Sequence, residues 1–193
     1  MNFNNVEEII SKSKEYFNIA EEKTIKMFEN YMKKCNYSEL EETTENSQIN
    51  QEEVRLIGIS DYDDLKKLFS QRGFYIILTD YVPKQINNCT LSVNIGKHTV
   101  KAVYRGECAE LRKRVESHIF NTKHNKYNDK PYDICMKLEE GKQGIDIDSE
   151  KYKLYKFYII QHKMKSSLSP QRKCMEKAFD NLFNKPVACK DNN

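Results

Sequence analysis

Five side chains beyond residue 70 have types and spacing that could support catalysis: Tyr75, Tyr104, Arg114, His118 and Glu176. The arginine and the histidine lie four residues apart, which places them on one side of a helix. A guanidinium can donate two hydrogen bonds to one anion, and an imidazole can transfer a proton near neutral pH. A single carboxylate can hold a hydrated Mg²⁺ ion. These residue types therefore suit chemistry on an anion bound beside a metal ion.

The elements that must position these residues follow from hydrophobic periodicity and from turn residues. Apolar residues at steps of three and four predict a helix over residues 4–36, and the polar, acidic residues 37–53 are typical of a linker. Next come a short strand at VRLIGIS, a helix over DYDDLKKLFSQR capped by Ser60 or Asp61, and a strand over GFYIILTDY that contains Tyr75.

The remaining segments predict a hairpin, a helix, a strand and a final helix. TLSVNIGKHTVKAVYRG is typical of a hairpin that turns near Gly96, and ECAELRKRVESHIFNT predicts a helix that carries Arg114 and His118. KYKLYKFYIIQHKM predicts a strand after two polar loops. SSLSPQRKCMEKAFDNLFNKP predicts the last helix, with Ser169 as its N-cap.

This order predicts an α+β fold, in which helices flank a small antiparallel or mixed sheet. We expect two parts: an N-terminal helical segment with its acidic linker over residues 1–53, and a domain over residues 54–193. Charge divides in a similar way. Residues 1–60 contain 7 Lys/Arg and 12 Asp/Glu, whereas residues 61–193 contain 25 and 17. The second part is therefore the candidate for contact with an anionic partner such as nucleic acid.

Cysteine spacing and hydropathy bear on where the protein acts. The chain of 193 residues has six cysteines with no C-x-x-C pair, which favours reduced thiols over a zinc site. No apolar run approaches the roughly 18 residues that a membrane span needs. The first residues lack a basic segment followed by an apolar one. These features predict a cytoplasmic protein without a membrane partner.

Three motifs, taken in their order along the chain, match the pattern of a known family. G-F-Y-I-I at 73–77, Y-R-G-x-x-x-x-L-x-x-R from Tyr104 to Arg114, and E-x-x-x-x-x-L-F-x-K-P from Glu176 resemble the GIY-YIG nuclease superfamily over residues 73–189. The sequence departs from the family pattern at three points. The link between the tyrosines is long, Arg105 replaces an aliphatic residue, and Cys189 occupies a position where many members have asparagine.

The resemblance implies a divalent-metal-dependent DNA endonuclease that uses Mg²⁺, or Mn²⁺ in its place. Tyr75, Tyr104, Arg114, His118 and Glu176 would be the catalytic residues, with Glu176 as the metal ligand. Each of them also has an ordinary structural interpretation as a strand aromatic or a helix residue. The basic residues expected to contact double-stranded DNA are Arg105, Arg112, Lys113, Lys123, Arg172 and Lys173. Loops 80–99 and 121–132 are candidates for base readout.

Several roles share such a catalytic core. Sequence-specific restriction-type cleavage is favoured by the compact chain and by the long link between the tyrosines. A nonspecific nuclease toxin, a mobile-element nuclease and a non-catalytic nucleic-acid-binding module remain alternatives. A homodimer would suit cleavage of both strands of a symmetric site. The acidic balance of the N-terminal segment favours a protein contact over a DNA contact there.

Overall fold

A computed structural model describes residues 5–43, 53–127 and 136–189. The helices are α1 (Val6–Lys34), α2 (Leu111–Ile119), α3 (Asn121–Tyr127) and α4 (Ser169–Phe183). The strands are β1 (Val54–Ile59), β2 (Gly73–Thr79), β3 (Ser92–Ile95), β4 (His98–Cys108) and β5 (Phe157–Lys163). Two short 3₁₀ helices cover Tyr37–Glu39 and Tyr62–Lys67.

The strands form one five-stranded antiparallel sheet in the order β1-β5-β2-β4-β3, which confirms the predicted α+β class. The central strand β2 is buried at every position, as its unbroken run of β-branched and aromatic residues predicts. The register places Tyr75 between Gly106 of β4 and Gln161 of β5. The predicted hairpin between β3 and β4 is confirmed, and it turns at Gly96, whose φ is +58°.

Each face of the sheet has its own hydrophobic core. The first, here called the α2 face, joins Tyr75, Ile77 and Tyr104 of the sheet to Leu111 and Val115 of α2. The second, called the α4 face, joins alternate residues of the same strands to helices α1 and α4. Its members include Phe74, Ile76, Ala102, Met175, Phe179 and Met32. Because side chains alternate along a strand, residues that are neighbours in β2 belong to opposite faces. In β4 this alternation is interrupted where the register with β2 shifts, and Val103 and Tyr104 both belong to the α2 face.

One part of β4 lies at the edge of the sheet. β3 pairs with β4 only from His98 to Lys101, so the second half of β4 extends beyond it. There the chain segment after α4 approaches, and the Ala188 N–H donates to the Val103 carbonyl at 2.9 Å. Groups from both faces of the sheet can reach this edge, and the predicted Y-R-G triplet lies in it.

The second half of α1 packs onto the sheet through α4. Glu21 accepts from Lys177 at 2.7 Å, Glu29 accepts from Asn181 at 2.9 Å, and Met32 is buried. The 3₁₀ helix that follows buries Tyr37 against the same core. Part of the segment predicted as an N-terminal attachment and linker is therefore integrated with the α4 face. Residues 44–52 of the predicted linker lie outside the described residues.

Four local predictions were wrong. The helix predicted from Glu107 begins at Leu111, because β4 continues to Cys108. Residues 121–127, predicted as a loop, form α3, while 128–132 lie outside the described residues. The segment after Asp61 is a 3₁₀ helix rather than a longer α-helix, although Asp61 caps it. Ser169 is the first residue of α4 and not its N-cap, and the Gln171 side chain accepts the Leu168 N–H there at 2.8 Å.

None of the helices in the described ranges is both long enough and apolar enough to cross a membrane. The five cysteines within those ranges are all free thiols, while Cys135 falls outside them.

Candidate active site

Two of the predicted residues form a buried hydrogen bond. The Nε2 atom of His118 lies 2.8 Å from the Tyr75 hydroxyl oxygen, and both side chains have no exposed surface. Tyr104 completes the group, because its ring centroid lies 4.6 Å from that of His118 and 6.1 Å from that of Tyr75. β2, β4 and α2 thus bring together three residues that are separated by up to 43 positions in the chain.

Glycine at position 106 makes this arrangement of rings sterically permissible. A Cβ atom placed there would lie 2.6 Å from the Tyr75 hydroxyl oxygen and 3.0 Å from the Tyr104 ring. Contacts that short are repulsive, so a side chain at 106 would push the Tyr75 hydroxyl away from His118. The glycine of the Y-R-G triplet is therefore a packing requirement of the site.

Helix α2 positions His118 and Arg114 one turn apart. Leu111, Val115 and Ile119 are fully buried and fix the helix on the sheet, which directs His118 inward. Arg114 is partly exposed, and its charge acts on both His118 and Tyr75. Of the two predicted catalytic residues on α2, it is the one that solvent reaches.

Burial keeps the pair of His118 and Tyr75 uncharged. The pKa of His118 is well below its ordinary value, because burial and the nearby charges of Arg114 and His124 disfavour the imidazolium. The pKa of Tyr75 is raised well above its ordinary value, chiefly by burial and also by Tyr104. One ring nitrogen of His118, Nδ1, is buried without a hydrogen-bond partner. Both shifts therefore favour the form in which the phenol and the imidazole are neutral.

Glu176 reaches the edge of β4 from the α4 face. Its Oε1 atom accepts a hydrogen bond from Arg105 Nη1 at 2.9 Å, and its side chain is 18% exposed. The charge of Glu176 contributes to the raised pKa of Tyr75, so the carboxylate acts on the phenol although α2 and α4 cover opposite faces. Burial raises the pKa of Glu176 itself, and the positive charge of Arg105 opposes that rise.

Two carboxylates near Glu176 were not predicted from the sequence. Asp180 accepts from Arg105 Nε at 3.0 Å and from Nη2 at 2.5 Å, and it lies one turn beyond Glu176 on α4. Glu107 accepts from Arg172 Nε at 2.6 Å. The i,i+4 spacing of Glu176 and Asp180 was the available signal, whereas nothing local marked Glu107 as the partner of Arg172.

Cys189 also belongs to this region. Its Sγ atom accepts from the Arg105 backbone N–H at 3.4 Å, and burial raises the pKa of its thiol to about 12. The position that departs from the family pattern therefore lies against the middle residue of the Y-R-G triplet. As a neutral thiol, it packs against β4 and contributes no charge.

Within the described residues, no three His, Cys, Asp or Glu side chains are grouped so as to hold a metal ion. A hydrated Mg²⁺ needs less than this, because it keeps several waters and is commonly held by one or two carboxylates and substrate phosphates. The carboxylate of Glu176 is a hard oxygen ligand with partial solvent access. The donor chemistry at Glu176 therefore fits Mg²⁺ or Mn²⁺.

The predicted DNA-contacting arginines do not form an exposed basic surface. Arg105 and Arg172 are buried and paired with carboxylates, which corrects their placement as surface phosphate contacts. Arg112 Nη2 donates to the carbonyls of Lys66 and Leu68 at 2.9 Å and 3.0 Å, so this side chain anchors α2 to the neighbouring 3₁₀ helix.

The predicted lysines lie nearer to solvent than these arginines. Lys113 and Lys173 are exposed, and Lys113 forms a surface ion pair with Glu110 at 2.9 Å. Lys123 pairs with Asp148 at 2.7 Å from α3. Of the two segments predicted for base readout, 80–99 contains a loop and the β3–β4 turn, and the described part of 121–132 is the helix α3.

Comparison of the chain with protein-family models, with curated proteins and with solved structures gives no match.

Proposed function

We propose that this protein is a divalent-metal-dependent DNA endonuclease of the GIY-YIG type. The observation that carries the proposal is the buried hydrogen bond between Tyr75 and His118, packed on Tyr104 over Gly106. Two groups of opposite charge act on this core, Arg114 from α2 and Glu176 from α4, because the charge of each shifts the pKa of Tyr75. These are the five residues that the resemblance assigns to catalysis.

The phosphodiester would bind where Arg114 and Glu176 are accessible. The guanidinium of Arg114 can donate two hydrogen bonds to one phosphate, and its positive charge offsets the repulsion between the phosphate and an attacking oxygen. Glu176 is the residue that would hold a divalent ion. Such an ion would supply Lewis-acid stabilisation of the developing charge at the phosphate and the leaving oxygen.

Tyr75 and His118 would handle the proton of the attacking water. An isolated buried phenol with a raised pKa is a poor base, but the hydrogen bond to His118 offers the proton a second site. The neighbouring charge of Arg114 favours the phenolate and disfavours the imidazolium, so it assists loss of the phenolic proton and opposes its transfer to His118. Tyr104, which is 4% exposed, would orient the water at the mouth of this pair.

Within this class, we favour sequence-specific, restriction-type cleavage of double-stranded DNA in the cytoplasm. The long connection between β2 and β4 supports this choice, because it adds a loop and β3 beside the strand that carries Tyr104. The free thiols of the described cysteines suit a reducing compartment. A nonspecific toxin or mobile-element nuclease would use the same core and differ in its products. A non-catalytic binding module would retain DNA without cutting it.

Plasmid cleavage tests the proposal. The wild-type protein should cut supercoiled DNA into discrete fragments with Mg²⁺ and should be inactive in EDTA. Glu176→Ala should reduce the rate by at least about 100-fold, because a metal ligand and its charge are removed. Glu22→Ala, at an exposed position of α1, is the matched control and should cut at the wild-type rate.

The products and the binding assay distinguish the alternatives. A smear of fragments from wild-type protein would replace restriction-type cleavage with a nonspecific nuclease. Wild-type protein that shifts DNA in a gel but leaves it intact with Mg²⁺ and with Mn²⁺ would be a binding module. Cleavage by Glu176→Ala at the wild-type rate would contradict the assignment of the metal ligand.

A further inference from the structure

The first half of α1 extends into solvent. Residues 5–20 are all exposed except Ser13, which is half-buried. This half continues a helix whose second half is packed, so it needs no nucleation of its own, but its exposed side chains add little burial to stabilise it. The side chain of Asn5 caps the helix by accepting the Glu8 N–H at 2.8 Å, but such a cap contributes only about 1 kcal/mol. A partner on this half of α1 would bury these side chains and add to its stability.

The exposed half of α1 carries a heptad pattern. The residues Val6, Ile10, Ser13, Phe17, Ala20, Thr24 and Met27 follow one another at steps of four and three without interruption. This spacing is the signature of a helix that pairs with another helix along its length. The four large members are exposed, at 67% for Val6, 46% for Ile10, 73% for Phe17 and 71% for Met27. The pattern spans 21 residue steps, or about 32 Å of helix.

The contact between α1 and α4 does not use this stripe. Glu29 and Met32 are the buried residues of α1, and Ile25 and Phe28 pack beside them. Met27 remains exposed between them, so the heptad stripe passes beside the packed face of the helix. The two small hydroxyl residues in the stripe are already satisfied, because Ser13 donates to the Ile10 carbonyl at 2.9 Å and Thr24 to that of Ala20 at 2.7 Å. A partner helix would therefore meet an apolar surface.

We propose that α1 pairs antiparallel with α1 of a second copy of this chain. The twofold axis would cross the helix pair at the height midway between residues 18 and 19. Phe17 of each copy then faces Ala20 of the other, and this small residue leaves room for the phenyl ring. The outer layers then match Ser13 with Thr24 and Ile10 with Met27. In the same register, Lys14 of one helix lies beside Glu21 of the other. Glu21 also accepts from Lys177 of its own chain at 2.7 Å, so Lys14 would share a carboxylate that is already paired.

The exposed apolar area of the stripe is large enough for a homodimer. The stripe and its neighbours Ile9 and Tyr16 expose on the order of 600 Å² of large side chains per chain, so two copies reach the lower limit of about 1,200 Å² for stable interfaces. A lipid surface or nucleic acid fits less well. Over residues 5–27 the helix has five glutamates and four lysines, whereas those partners select a strongly basic helix.

Measurement of the molar mass by light scattering tests this inference, which does not depend on the nuclease proposal. The full chain should be a dimer at about 50 µM, and Phe17→Glu and Ile10→Glu should each increase the dissociation constant by at least about 100-fold, because each places two charges in the interface. Ile19→Glu is the matched control. Ile19 is 42% exposed on the same turns but lies off the stripe, so this variant should remain dimeric.

Three results would overturn the inference. The first is a monomeric wild-type protein at 50 µM, and the second is a dimer that both stripe variants leave intact. The third concerns orientation. Lys14→Glu should weaken the dimer several-fold at low salt and much less at high salt, and an unchanged dissociation constant at low salt would contradict the antiparallel register. Circular dichroism of the folded variants shows that each retains its sheet.

Discussion

The Arg105 guanidinium connects the two acidic residues of α4, donating to Glu176 at 2.9 Å and to Asp180 at 3.0 Å and 2.5 Å. A fork of this kind fixes the orientation of both carboxylates. Arg105 is the middle residue of the Y-R-G triplet, where the GIY-YIG pattern has an aliphatic residue. The proposed metal ligand is therefore held by the residue that departs from the GIY-YIG pattern.

Removal of the Arg105 charge should destabilise the fold. Arg105→Leu leaves two carboxylates near each other without their cation, in a place where their side chains are 18% and 25% exposed. We expect a loss of about 3 kcal/mol in the free energy of unfolding, measured in urea at pH 7.5. Adding Asp180→Asn to Arg105→Leu should recover part of this loss, because one of the unpaired charges is removed.

The control for this change is Lys113→Leu. Lys113 and its partner Glu110 are about half exposed, and surface pairs of this kind contribute at most about 1 kcal/mol. If Arg105→Leu costs no more than Lys113→Leu, the buried ion pairs do not hold α4 as described.

Removal of the Tyr75 hydroxyl should lower the cleavage rate strongly and the stability only slightly. Tyr75→Phe deletes one buried hydrogen bond, which costs about 1 kcal/mol of stability, whereas loss of a proton-transfer group lowers a rate by roughly 100- to 10,000-fold. The cleavage rate at saturating Mg²⁺ and the urea midpoint should both be measured. Tyr127→Phe, at an exposed position, should change neither. Cleavage by Tyr75→Phe at the wild-type rate would exclude the phenol from the proton transfer.

The parts of the fold that sequence predicted well have strong local causes. The run from Gly73 to Thr79 contains only residues that suit a buried strand, and the glycine at 96 permits the left-handed turn of the hairpin. Helix α3 was missed because NTKHNKY has no apolar stripe. Its packing depends on His124, which is fully buried although its residue type gives no such signal.

In the candidate site too, the residues could be predicted from the sequence but their contacts could not. Tyr75, Tyr104 and His118 were singled out together and lie in contact, although which contacts they make was not predicted. Arg105 and Arg172 were expected to contact DNA because they belong to the basic residues around the proposed site. Their partners lie 75 and 65 residues away, so pairing depends on how α4 crosses β4. Such long-range ion pairs cannot be predicted from local patterns.

A methyl group at position 106 should disturb the site directly. In Gly106→Ala the added Cβ would lie 2.6 Å from the Tyr75 hydroxyl oxygen and 2.8 Å from its Cζ, so the phenol must move away from His118. We expect a loss of about 1–3 kcal/mol in stability, together with a fall in cleavage similar to that of Tyr75→Phe. Adding Tyr75→Phe removes the closest contact and should restore part of the stability. An unchanged urea midpoint in Gly106→Ala would show that the rings do not pack over this glycine.

Lowering the pH should reduce the free energy of unfolding, because His162 and His118 are buried as neutral imidazoles. His162 accepts or donates at both ring nitrogens, 3.2 Å from the Tyr31 hydroxyl and 3.1 Å from that of Tyr37, and burial lowers its pKa to about 3. The unfolded chain takes up the proton near pH 6.5, but the folded chain does not, so protonation favours unfolding. The stability contributed by neutral His162 is thus complete above about pH 6.5 and is lost as the pH falls toward 3.

Urea unfolding at pH 7.5 and pH 5.0 measures this effect. His162 should cost the wild-type protein about 2 kcal/mol between these two values, and His118 acts in the same direction because its pKa is also lowered. His162→Gln cannot take up this proton, so its stability should depend less steeply on pH. His98→Gln replaces a histidine that is about half exposed and should follow the wild-type profile. Equal slopes for His162→Gln and wild type would mean that His162 does not remain neutral in the folded protein.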